Sequence, residues 1–146
     1  MPLLHDDTVR AGIERRIRAL TPEMAPRWGK MSADQMLWHV NQALEVAIGH
    51  RTVPAQNLPM PKALIKFIVL KLPWTRNAPT NPAFVAQARH DFAAERERCL
   101  TLITELTTLR VDRPRVTHPT FGPMSGPEIS ELQAKHLDHH LKQFGL

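Results

Sequence analysis

The segment KHLDHHLKQFGL, residues 135 to 146, holds three of the eight histidines in the chain. His136 and His140 stand four residues apart, so on a helix they occupy adjacent turns of one face and can both reach a single cation. At about 100° per residue that face also carries Ile129, Leu132, Leu137 and Phe144. Imidazole therefore sits where a core needs hydrocarbon. His139 falls about 60° to the other side of His136, toward the flank of the face, and is a weaker ligand candidate. A useful metal centre needs a third protein donor, and His39 in MLWHVNQ can supply it from an earlier helix, where Met36 and Ala43 place it at the border of the buried face. Three neutral imidazoles from two helices would hold a divalent first-row ion and leave positions for solvent or substrate. Spacing alone leaves a plainer reading open: histidines hydrogen-bonded at a core boundary, or a polar last turn that complements the helix dipole.

Other residues that could do chemistry are scattered. Glu95 interrupts an apolar seam, where a carboxylate would need a metal, a histidine or water as partner; rotation to the surface beside Arg96 and Arg98 is the simpler explanation. His118, in THPTFGP, could shuttle protons at the open end of the helices or cap a turn. Gln35 and Trp38 neighbour His39 and could line a pocket, though Trp38 could equally serve packing. Asp138 lies on the opposite side of its helix from the two ligand candidates and is expected to be exposed or paired with Lys135 or Lys142. Cys99 reads as a small buried hydrophobe. There is no Ser, His and Asp arrangement, no phosphate-cradling glycine loop and no paired-thiolate zinc motif.

The elements that must position these groups are helical. TVRAGIERRIRAL, residues 8 to 20, sets Val9, Ile13, Ile17 and Leu20 on one stripe, with Asp6, Asp7 or Thr8 as N-cap. Ser32 and Gln35 form a capping box that opens a second helix from Ala33 to Gly49, with Met36, Val40, Ala43, Leu44 and Ala47 as its apolar face. Residues 50 to 81 are proline-rich and read as a crossover with one short helix near 62 to 72. Asn81 and Pro82 predict the start of a long third helix carrying Val85, Ala88, Phe92, Cys99, Leu102, Leu106 and Leu109. Ser125 and Glu128 make a second capping box for a fourth helix from Gly126 to Phe144. No strand-like alternation of any length stands out. The expected architecture is all-α: one domain over 1–146, a four-helix bundle with a long crossover between its second and third helices.

Composition narrows the function. The formal charge is +5, but the basic residues are scattered and interleaved with acids, as in RHDFAAERER, which argues against nucleic acid. The single cysteine permits no internal disulfide, and MPLLHDDTVRAG lacks the pattern of a signal peptide, so the cytoplasm is the expected location. ALIKFIVLKLPW, residues 63 to 74, is too short to span a bilayer, and a run that is apolar on all sides is expected to pack against its own bundle rather than serve a dimer or a membrane surface. No membrane or nucleic-acid partner is expected, and the chain reads as a monomer or homodimer.

The segments WGKMSADQMLWHV, HPTFGPMS and KHLDHHLKQFG together resemble the DinB-like superfamily of metal-dependent enzymes, and in particular a branch of unknown function. The resemblance runs from the second helix to the C-terminus. It implies a four-helix bundle in which His39, His136 and His140 bind a divalent ion such as zinc or nickel. It implies too that a low-molecular-weight thiol could be a co-substrate, since the superfamily includes thiol transferases and a thiol-dependent isomerase. The sequence departs from the branch at Ile129, where a Trp is expected soon after the Glu that opens the last helix. The resulting expectation is a metal-dependent hydrolase or thiol-dependent transferase acting on a small molecule, with a non-enzymatic, metal-stabilised bundle in a binding or stress role as the alternative.

Overall fold

A computed structural model describes residues 2–146. Within them lie five α-helices, α1 (Asp7–Ala19), α2 (Ala33–Ile48), α3 (Lys62–Lys71), α4 (Phe92–Thr108) and α5 (Gly126–Gln143), with a short 3-10 turn at Pro82–Phe84 and a two-stranded sheet. Local signals mark the ends of α1, α2 and α5. Asp6 stands at the N-cap position of α1 with its carboxylate turned back to the Leu3 N–H, the Gln35 side chain accepts the Ser32 N–H at the head of α2, and Gly49 closes α2 in the left-handed conformation at φ 92°. Ser125 and Glu128 cap α5 reciprocally, at 2.9 and 3.4 Å. The neighbouring Gly126 is sterically required, because a Cβ there would collide with the Val111 carbonyl.

The helices share one core. Ile13 and Ile17 of α1, Leu37 and Leu44 of α2, Leu102 and Leu106 of α4, and Leu137 and Leu141 of α5 belong to a single buried cluster. Helix α2 lies along α4, and α5 packs on both α1 and α2. Cys99 is fully buried in this cluster, and burial, with the Glu95 charge, pushes its thiol up to about 12. It is a packing residue without thiolate chemistry.

Two expectations require correction. The long helix does not begin at Pro82: Asn81 accepts the Ala83 N–H as a cap should, but only one 3-10 turn follows, and Val85 is already extended. The α-helix starts at Phe92, with Asp91 accepting the Ala94 N–H. Tertiary contacts hold residues 85–91 out of the helix. The buried Asp34 carboxylate takes Arg89 Nε and Nη2 at 3.0 and 2.9 Å and the His90 N–H at 2.8 Å, Gln35 donates to the Ala88 carbonyl, and Trp38 stacks on His90. The second correction is an antiparallel hairpin, β1 (Val116–His118) with β2 (Gly122–Met124), inside the proline-rich loop that precedes α5. Its strands are three residues each, too short for alternation to register.

Asp34 ties the 85–91 segment to α2. Burial opposes its ionisation, yet the Arg89 hydrogen bonds, the His90 N–H and Ser32 together hold its carboxyl well below the usual carboxylate range. Asp34→Ala is expected to destabilise the protein by about 1–3 kcal/mol through unmade hydrogen bonds. Thermal denaturation should show the melting temperature falling by about 2–4 °C per kcal/mol.

Candidate metal centre

His39 sits in the middle of α2, and His136 and His140 lie one turn apart on α5 where that helix crosses it. The three rings form a nearly equilateral triangle, with centroids 4.8, 4.7 and 4.8 Å apart and each pair edge to face. Their ligand atoms all fall within 4.8 Å of one another, and the Nε2 atoms of His39 and His136 are 2.9 Å apart. A tetrahedral ion with metal–nitrogen bonds near 2.0–2.1 Å sets its donors about 3.3 Å apart, so small rotations would bring this set onto one ion.

Hydrogen bonds decide which nitrogen each ring offers. His39 Nδ1 is 2.6 Å from the Phe84 carbonyl oxygen, which can only accept, so Nδ1 carries the hydrogen and Nε2 is bare. Gln143 Nε2 donates to the Trp28 carbonyl at 2.8 Å, which turns Gln143 Oε1 toward His140 Nδ1 at 2.8 Å. His140 Nδ1 is therefore also a donor, and its Nε2 is free for an ion. Carbonyl and amide partners of this kind are what hold a ligand imidazole in one tautomer.

All three rings are neutral at ordinary pH. Burial pushes His39 below its usual 6.5, against the pull of the Phe84 carbonyl. Burial and then the neighbouring imidazoles take His136 well below that value, and burial followed by His39 takes His140 down to about 3. Neutral imidazole is the ligand form, so the donor set fits a divalent ion of the zinc or nickel kind.

The remaining candidates stand outside this triangle. His139 is half-buried on the flank, with its ring 5.8 Å from Trp28 and 5.2 Å from Trp74. His118 lies in the hairpin, where its Nδ1 accepts the Thr120 N–H at 3.0 Å and its ring stacks on Phe121 at 4.3 Å. Glu95 is held by Asn41 Nδ2 at 2.8 Å. Gln35 and Trp38 are engaged with the 85–91 segment described above. Asp138 is paired with Arg16 at 2.8 Å and with Lys142 at 2.7 Å, away from the imidazoles. A groove of about 630 Å³ runs between α1 and the end of α3, over Glu131, Ala134 and Asp138 of α5, a different side of that helix from His136 and His140.

Four residues that position or wall the site were not singled out for it from the sequence: Phe84, Gln143, Trp28 and Trp74. Gln143 could have been found, since it lies three residues after His140 on the same helix. Phe84 acts through its backbone and the two tryptophans come from loops, so no spacing signals them. Gln143→Leu keeps the bulk but removes the acceptor that orients His140, and should weaken metal binding about 10–100-fold by calorimetric titration.

A family model described as the DinB superfamily matches residues 6–144. No curated protein and no solved structure matches the chain.

Proposed function

The chain belongs to the DinB superfamily, and on that footing we propose that it is a metal-dependent enzyme for a small molecule, with one divalent ion, zinc or nickel, between His39, His136 and His140. We read α1, α2, α4 and α5 as a four-helix bundle, with α3 in its crossover. The observation that carries the proposal is the pair of Nδ1 hydrogen bonds, from His39 to Phe84 and from His140 to Gln143, which leave two bare Nε2 atoms beside that of His136. The bound ion would supply Lewis acidity, polarising a carbonyl or making a water or small thiol more acidic, as hydrolysis or thiol transfer requires.

The chain's own groups would do the rest. Phe84 and Gln143 fix the tautomers of two ligands. Trp74, with its ring centroid 5.9 Å from that of His136, and Trp28, on the far side of His139, shield the flank of the cluster from water. Between them His139, the nearest imidazole outside the triangle, could accept or release a proton at the edge of the site. A cytoplasmic setting and a monomer or homodimer complete the reading.

One observation favours a closed, purely structural metal site: His39 and His140 are only 6% and 9% exposed. The test begins with elemental mass spectrometry of protein purified without a histidine tag, which should find close to one equivalent of metal. No metal even after incubation with zinc and nickel would overturn both readings. A cobalt-loaded sample then separates them. A visible spectrum that shifts when a small thiol is added supports an open position, and an unmoved spectrum supports the structural site.

A further inference from the structure

Charge and apolar exposure coincide in one part of this protein. Between Glu45 and Asp91 the chain has no acidic residue and six basic ones, Arg51, Lys62, Lys66, Lys71, Arg76 and Arg89, so the interleaving of charges seen elsewhere fails over this stretch. Since the whole chain carries only +5, the rest of the molecule is close to neutral. Among the described residues, the same stretch holds seven of the eight large hydrophobic side chains that remain exposed.

Most of those side chains belong to α3 and its flanks. The sequence expectation was that this run packs against its own bundle, and only half of it does. Leu70 is buried, while Leu64, Phe67, Ile68 and Leu72 are 47%, 57%, 37% and 48% exposed. At about 100° per residue those four fall on one side of the helix, opposite Lys66 and Val69, so α3 presents a second apolar stripe outward. Met60, just before the helix, extends the stripe and is 40% exposed. Some of the local charge is answered: Lys66 pairs with Glu128 at 3.1 Å and Lys71 with Glu131 at 3.6 Å. Lys62, Arg76 and Lys135 have no carboxylate partner among the described residues; Lys135 instead donates to the Val69 and Leu72 carbonyls at the end of α3.

From this coincidence we propose that the outward face of α3 docks on an anionic lipid surface, with Leu64, Phe67, Ile68 and Leu72 entering the headgroup–acyl boundary. Lys71, whose position on the helix falls among these four and whose side chain is 45% exposed, and the exposed Arg76 just beyond the helix would face lipid phosphates. A ten-residue helix is about 15 Å long, too short to cross a bilayer but suited to lying in its interface. An isologous contact between two copies is disfavoured by the same charge, because it would bring two acid-free stretches together. The apolar face and the acid-free basic stretch that carries it also supply the two separate attractions, burial and electrostatics, that stable peripheral binding requires. This inference is independent of the metal centre.

The test is co-sedimentation of the full chain with vesicles of phosphatidylcholine alone and of phosphatidylcholine mixed with phosphatidylglycerol. The protein should sediment with the mixed vesicles, weakly or not at all with the neutral ones, and less as salt is raised. Phe67→Ser combined with Ile68→Ser should lower partitioning by about tenfold or more, given the free energy of burying such side chains. Both positions are exposed, so an unchanged circular dichroism spectrum should accompany that loss. Arg76→Glu should reduce binding to the mixed vesicles alone. The proposal is overturned if the native chain stays in the supernatant with both vesicles, or if the double variant sediments as well as the native chain. It is also overturned if gel filtration shows a dimer that Phe67→Ser dissociates, which would make this face an interface between copies.

Discussion

Replacing His136 and His140 together with alanine is expected to abolish stoichiometric metal binding and every metal-dependent gain in stability while the helices stay folded. The two rings supply two of three donors, and His39 alone, a single neutral imidazole on α2, cannot retain an ion against solvent. In the native chain an ion present at a thousandfold excess over its dissociation constant adds about 4 kcal/mol. For a domain of this size that corresponds to a rise of about 8–16 °C in melting temperature. The variant should show no rise. Its helix α5 should still form, because the residues that hold it in the core, Ile129, Leu132, Leu137 and Leu141, are untouched and its capping box is remote from the change. Differential scanning fluorimetry with and without zinc or nickel, beside metal analysis of both proteins, reads the result. A variant that still melts higher with metal would place the ion elsewhere, and the triangle of imidazoles would then be only a packed polar cluster.

The parts of this molecule that sequence made legible are those written in local chemistry. Ser32 with Gln35 and Ser125 with Glu128 are capping signals that act over three residues, and the helices they open begin where those signals say. The i, i+4 spacing of His136 and His140 is likewise local. Pairing them with His39 needed the rarer inference that two separate helix faces meet, and there the resemblance carried by HLDHHL added what periodicity could not. What stayed hidden depends on distant contacts. Asn81–Pro82 is a sound start signal, and a turn does begin there; the helix fails to propagate because Asp34, on α2, captures Arg89 and the His90 N–H. The same segment carries Phe84, whose carbonyl fixes the His39 tautomer, so the misjudged helix and the missed positioning residue have one cause. The outward stripe of α3 was invisible for another reason: a run that is apolar on every side does not say which side will lack a partner.

Acid should unfold the metal-free protein earlier than its carboxylates alone would. A histidine whose folded pKa lies below its unfolded value binds fewer protons folded than unfolded in the interval between them. The stability it contributes is therefore present above the unfolded value and lost as pH falls toward the folded one. His118 illustrates the size of the effect. Burial, then the charge of Lys62, takes it from 6.5 down to about 4. Its Nδ1 already accepts the Thr120 N–H, so a proton arriving there would also break the hairpin turn. The interval corresponds to about 3 kcal/mol lost from this group, at about 1.4 kcal/mol per pH unit. His39, His136 and His140 shift in the same direction and steepen the fall. Asp34, Glu128 and Asp138 have lowered pKa values and add their losses only as pH falls past the ordinary carboxylate values of 4.5 and 3.8, so the fall between 6.5 and 4.5 belongs to the histidines. Urea unfolding in the presence of a chelator, repeated from pH 7 to pH 4, should follow this slope. His118→Asn keeps an acceptor for the turn without titrating, and should flatten part of the curve. A native curve with no slope across that interval would mean that these rings take up protons as readily in the folded chain as in the unfolded one, so that burial does not hold them neutral.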